Sequence, residues 1–186
     1  MAAPPPSILL PAAPLGDGTT ALRPWHESDV PRLVALCRDE EITRWTRVPT
    51  EYGITSARAW IAESRALVRD RISAPFAIVS ATGGELLGSI SLMRFAWEDA
   101  RGEVGYLLGR DARGQGHATR ALRLICAWGF AELGLERIDL YAATGNGASQ
   151  RVAERAGFTR EGVLRSYHMH LGVPLDMVAF GLLAGT

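Results

Sequence analysis

Hydrophobic and polar positions change rhythm along the chain. From Ser28 to Asp70 apolar residues recur at helical spacing. Ser28 and Asp29 precede Pro31, which is the N-cap and first-turn chemistry of a helix carrying Leu33, Val34, Leu36 and Cys37 on one side. A second helical piece covers about Glu40 to Trp45, and the stretch from Pro49 to Gly53 breaks the chain. Thr55 or Ser56 then caps a longer helix to about Asp70, with Ala59, Trp60, Ala62, Ala66 and Leu67 roughly at helical spacing. Beyond it, Pro75 to Ala81 and Leu86 to Phe95 read as strands joined by a Gly-Gly hairpin signal at Thr82-Gly83-Gly84-Glu85. Gly102 to Gly109 is the third strand of this meander. His117 to Leu133 predicts a helix closed by Gly134, Arg137 to Ala143 a strand, and about Ala148 to Ala156 a helix stopped by Gly157. Phe158 to His168 and Leu175 to Leu183 are the last strands, and Thr20 to Arg23 adds a short one at the start. A meander beside two strand–helix units predicts an α/β (α+β) domain with a mixed sheet and helices on its faces, not an all-parallel sheet.

The 186 residues, 47% hydrophobic, suit one domain with one sizeable core. Residues 1–18 hold five of the ten prolines and lack a charged n-region, and Pro11 and Pro14 break their apolar run. The segment is neither a signal peptide nor a membrane span; it reads as a disordered leader ahead of an ordered domain at 19–186. A formal net charge of +0 offers no overall field for nucleic acid or an anionic membrane. Cys37 and Cys126 lie in separate apolar segments with no Cys-x-x-Cys, as expected of reduced, buried thiols in a cytoplasmic protein. All 20 basic residues are arginine. The absence of lysine excludes a P-loop, a lysine Schiff base and a lysine general base.

One stretch carries chemistry: Gly105-Tyr106-Leu107-Leu108-Gly109-Arg110-Asp111-Ala112-Arg113-Gly114-Gln115-Gly116-His117-Ala118-Thr119. It runs strand, glycine loop, helix start. Gly114 and Gly116 remove Cβ atoms where the backbone turns sharply. The first N–H groups of the following helix have no intrahelical acceptor and point out with the positive end of the helix dipole, so a diphosphate fits there. Arg113 adds a fixed positive charge. A dinucleotide fingerprint would need a third glycine where Thr119 stands, and it would follow the first strand of a βαβ unit, not a meander. The remaining alternative is a glycine loop that merely joins strand to helix.

Arg113-x-x-Gly116-x-Ala118 resembles the Arg/Gln-x-x-Gly-x-Gly/Ala signature of the GNAT superfamily of acetyl-CoA-dependent N-acetyltransferases. The flanks match as well: Glu103-Val104-Gly105-Tyr106-Leu107-Leu108 before the motif, then Asn146-x-x-Ser149, Glu154-Arg155-Ala156-Gly157-Phe158 and Glu161-Gly162-Val163-Leu164-Arg165 after it, with Leu22-Arg23-Pro24-Trp25 and Ile42-Thr43-Arg44-Trp45 as the opening. The set is most similar to the RimJ/RimL-type branch, which acetylates N-terminal amines of ribosomal proteins and, in relatives, other amines. The resemblance implies a mostly antiparallel, twisted, mixed sheet of about seven strands with a splayed central parallel pair. It implies acetyl-CoA as co-substrate, no metal, and direct attack by a primary amine in a ternary complex. Pantetheine would lie along Tyr106, Leu107 and Leu108, and the pyrophosphate on the amides of Arg113, Gly114, Gln115, Gly116, His117, Ala118 and Thr119. Asn146 and Ser149 would contact the cofactor from the next loop. Family members often dimerise through the sheet edge or C-terminal strands, so a homodimer is expected.

The proton-transfer groups depart from the family pattern. The tyrosine that in some members protonates the leaving thiolate is replaced by Ala153. Ser149 either hydrogen-bonds the sulfur or caps its helix. The glutamate assigned to catalysis in RimL-type members falls at His168, whose pKa suits base work; a structural His168 is the alternative. His168 and His170 share a strand face, but no third metal ligand is spaced near them. Glu103 either faces the cleft as base or pairs with an arginine. Tyr141 is pocket wall or proton relay. Trp45, Trp97, Phe95 and Tyr167 either line the acceptor pocket or pack in the core. Two alternatives remain for function: an acetyltransferase for a small amine such as a polyamine or aminoglycoside, and a CoA-binding module without catalysis.

Overall fold

A computed structural model describes residues 7–185. Eight strands form one sheet: β1 (Leu15–Gly16), β2 (Thr20–Arg23), β3 (Ser73–Ser80), β4 (Leu86–Ala96), β5 (Arg101–Leu108), β6 (Arg137–Ala143), β7 (Thr159–His170) and β8 (Val173–Leu183). Five helices accompany them: α1 (Val30–Cys37), α2 (Glu40–Trp45), α3 (Ile54–Arg69), α4 (His117–Leu133) and α5 (Gly147–Ala156). The spatial order is β1-β2-β3-β4-β5-β6-β8-β7. Every neighbouring pair is antiparallel except β5 and β6.

Strand alternation divides the interior. In β3, Phe76 and Ile78 point to one face and join Leu122, Ile125 and Trp128 of α4 with Leu140 and Phe180; the Phe76 and Trp128 rings meet edge to face at 5.2 Å. Ala77 and Val79 point to the other face, where Leu33, Val34 and Leu36 of α1 and Ala57 and Ile61 of α3 cover them. Two buried layers on this part of the sheet are why β3 and β4 carry so few polar residues.

Three expectations are corrected. The leader does not extend unstructured to Gly18: Ile8 is buried, β1 pairs with β2, and Asp17 receives the Thr19 and Thr20 N–H groups. Residues 1–6 lie outside the described residues. The sheet has eight strands rather than seven because of β1. The long helix starts at Ile54, with Gly53 rather than Thr55 or Ser56 at its N-cap.

Candidate active site

The site is built where the one parallel pair fails. β5 and β6 pair at only three positions: Arg101 with Arg137, Gly102 with Ile138, and Glu103 with Asp139. Beyond Glu103, β5 keeps its ladder to β4 as far as Leu108, but among the described residues its β6-facing edge has no strand partner. Arginines anchor the last rung. Asp139 is nearly fully buried and takes Arg137 Nε at 2.7 Å and Arg101 Nε at 3.5 Å. Past this point a cavity of about 670 Å³ opens through the gap.

One end of the cavity meets the α4 start. Gly114 and Gly116 adopt φ of +75° and +84°, a left-handed backbone that other residues rarely take. Arg120 N–H donates to the Gly116 carbonyl at 3.1 Å, so the N–H groups of the turn before it face out of the helix end. Arg113, Gly114 and Ala118 line the cavity; Gln115, Gly116, His117 and Thr119 belong to the same turn but do not. Arg113 is not a free charge for a phosphate. Its guanidinium folds back, donating to the Leu108 carbonyl from Nε at 3.1 Å and meeting Asp39 at 2.7 Å. The arginine of the motif therefore ties the end of β5 to the start of α2. His117 Nδ1 lies 2.8 Å from Thr20 Oγ1, anchoring the first turn of α4 to β2.

The face of the gap toward α5 carries Tyr106 and Ser149. Asn146 is the N-cap of α5: its side chain accepts the Ser149 N–H at 3.0 Å. Ser149 is thus relieved of capping, and its Oγ accepts from the Tyr106 hydroxyl at 3.1 Å. Ala153, at the position of the family tyrosine, is fully buried.

The opposite face carries Glu103, at the rung where the gap begins. Burial pushes its carboxyl up, and neighbouring Asp139 adds to this; Arg94 at 3.4 Å and Arg47 oppose without reversing it. Tyr141 lies one alternation beyond Asp139 on β6, its ring 4.9 Å from that of Tyr167. His168 also lines the cavity. Its Nδ1 lies 3.3 Å from an Arg47 guanidinium nitrogen. Arginine can only donate, so this nitrogen's lone pair is the acceptor and the neutral ring carries its proton on Nε2. Burial, then Arg47, His170 and Arg94, push the His168 pKa down. His170 Nε2 reaches the Thr43 carbonyl at 3.1 Å, tying β7 to α2. Among the described residues no three His, Cys, Asp or Glu side chains are grouped to hold a metal.

The structure brings Trp45 and Tyr167 to the cavity but not Trp97. Trp97 and Phe95 stack at 4.4 Å, with the Arg71 guanidinium 5.1 Å from the Trp97 ring, so that pair closes the turn after β4. Sequence reasoning missed Arg47, Arg94 and Asp39. Arg47 and Asp39 flank α2 in loops, and no periodicity marks a residue whose partner lies far along the chain.

The cavity suits coenzyme A: an unpaired strand edge for an amide-bearing arm, leading to a glycine turn of outward N–H groups. A family model for an acetyltransferase (GNAT) domain matches residues 20–159. The Bacillus subtilis (strain 168) protein named "Uncharacterized N-acetyltransferase YoaA" is 29% identical over 161 residues, covering 87% of this chain and 91% of its own. The structure of Mycobacterium smegmatis RimJ in complex with CoA-disulfide superposes with a TM-score of 0.82 at 24% identity, covering 92% of this chain and 86% of the other. Spermidine N-acetyltransferase from Vibrio cholerae, solved with CoA and spermine, gives 0.76 at 18% identity, covering 90% and 96%. The two structural likenesses show the fold. The family match covers most of the chain, and with the splayed strand pair and the glycine turn it makes this protein a member of the GNAT acetyltransferase family, an N-acetyltransferase that uses acetyl-CoA.

Proposed function

We propose that the protein transfers the acetyl group of acetyl-CoA directly to the α-amine of a polypeptide N-terminus, with Glu103 accepting the amine proton. Glu103 stands on the last paired rung, where the gap begins, and burial raises its carboxyl toward the range where a base near neutrality works. An α-amine, with a pKa near about 7.7–8.0, needs only such a weak base, whereas a lysine ε-amine near about 10.4 needs more. A direct attack gains its rate from holding both reactants in one cleft. His168 is the weaker base candidate, since its Nδ1 lone pair is taken up by Arg47 and its pKa is lowered.

The observation that carries the acceptor class is the pair of arginines beside that carboxylate. Arg47 and Arg94 both line the cavity near Glu103. They oppose a polycation such as a polyamine and tolerate a peptide with one amine and neutral or acidic side chains. The test is thiol release from acetyl-CoA with three acceptors: peptides with a free N-terminus, the same peptides N-terminally blocked but bearing lysine, and spermidine. Release with the first alone supports the reading; preference for spermidine overturns it. A homodimer is supported by exposed apolar side chains on the β7–β8 hairpin, Val163, Leu164, Met169, Leu171 and Val173, and sedimentation tests it.

A further inference from the structure

Ser149 and Tyr106 form a hydroxyl pair between β5 and α5. Both line the cavity on its α5 face, Tyr106 from β5 and Ser149 from the first turn of α5. A serine hydroxyl has one proton and two lone pairs. The Tyr106 hydroxyl fills one lone pair at 3.1 Å, and Asn146 has taken over capping through the Ser149 N–H. The serine proton is therefore neither needed by the helix nor directed at Tyr106, and it is available to the cavity. Ala153, one turn further along α5, offers no hydroxyl of its own.

We propose that Tyr106 is a positioning residue for the leaving group: by donating to Ser149 Oγ it holds the Ser149 hydroxyl so that its proton points at the sulfur of coenzyme A as the thioester breaks. The inference rests on the direct-transfer reading above. In the reaction the amine nitrogen forms a C–N bond to the thioester carbonyl carbon. The tetrahedral oxyanion then collapses, the C–S bond breaks, and its electron pair passes to sulfur. The proton lost by the nitrogen goes to Glu103. The hydrogen bond from Ser149 stabilises the thiolate, which takes a proton from solvent on release. Neither hydroxyl ionises. Burial pushes the Tyr106 phenol above its ordinary value, so it stays a donor throughout the working range.

The test uses the full chain with coenzyme A and no acceptor. The thiolate of bound coenzyme A, followed by ultraviolet absorbance against pH, is expected to form about 1 pH unit lower than in free coenzyme A, the scale of one hydrogen bond to a charged group. Tyr106→Phe keeps the ring, and Ser149→Ala keeps the helix cap on Asn146. Each is expected to return the bound thiol to the free value, and the double variant to change nothing further. With an acceptor, each is expected to lower kcat about tenfold while leaving the KM for acetyl-CoA within twofold. If Tyr106→Phe folds poorly, Ser149→Thr decides: restoration of the wild-type thiol titration supports the proposal, and a value like that of Ser149→Ala overturns it. A Tyr106→Phe protein whose bound thiol titrates as in wild type, or effects that add in the double variant, also overturns it. Because the titration needs no amine, failure of every peptide acceptor would count against the acceptor reading and leave this result standing.

Discussion

Trp45 packs directly against Gly145: a Cβ on that glycine would stand 3.3 Å from the indole ring. α2 thus reaches over the gap to the loop that follows β6. Glu41 holds the indole by accepting its N–H at 3.0 Å, and the Arg44 guanidinium lies 4.7 Å from the ring centre. Trp45→Ala is expected to raise the acceptor KM about tenfold, the scale of one aromatic contact, with coenzyme A affinity unchanged. Equal losses for both substrates would place Trp45 elsewhere in the mechanism.

Gly116 holds φ at +84°, and a β-branched side chain there is strained whatever the space around it. Gly116→Val is expected to weaken coenzyme A binding about tenfold or more in calorimetry, as the turn distorts. A variant that binds like wild type would show that the pyrophosphate rests on another part of the chain.

Glu103, the proposed base, carries a stability cost. Its carboxyl is raised in the folded state, so the folded protein holds that proton to higher pH than the unfolded chain, and stability falls as pH rises through the folded value. Glu103→Gln is therefore expected to abolish most turnover and to raise Tm at neutral pH. The gain should vanish below about pH 4.5, the ordinary glutamate value, where the carboxyl is protonated in both states. A stability gain that persists there would show that the effect is packing rather than charge.

His168→Ala is expected to leave the acidic limb of the kcat pH profile in place and to change turnover only a few-fold, since the ring braces Arg47. Loss of that limb would move the base from Glu103 to His168.

Asp17 has the opposite sign. Burial pushes its carboxyl up, but the Thr20 N–H, the Arg120 guanidinium at 2.8 Å and the Thr19 N–H outweigh it and bring the pKa down to about 2. Its contribution to stability is fully present above the ordinary 3.8 and is lost as pH falls through about 2. Asp17→Asn is expected to flatten that part of the acid-denaturation curve, measured by circular dichroism.

The elements with strong periodicity were legible in the sequence. α4 and β6 span the residues that their pattern predicts, because Gly134 closes one and a run of β-branched and aromatic residues marks the other. β1 was not legible: two residues carry no period, and a proline-rich composition concealed that Ile8 and Leu15 pack on the core. In the site, the glycine turn was readable because backbone conformation demands a residue type. The tie of Arg113 to Asp39, the pairing of Arg47 with His168 and the exclusion of Trp97 were not, since each depends on where distant segments meet. Ser149 shows the boundary well. A serine near a helix start reads as a cap in sequence, and only the Asn146 side chain accepting the Ser149 N–H shows that the cap lies elsewhere.

The three rungs between β5 and β6 have a mechanical consequence. Among the described residues they are all that joins a five-strand leaf to a three-strand leaf within the sheet, and Arg101 of β5 reaches across the seam to Asp139 of β6, which Arg137 on the same strand also holds. A change in the spacing of the two leaves beyond this spine would alter the width of the cavity without breaking any other ladder, while the glycine turn and β5 stay together on the same page.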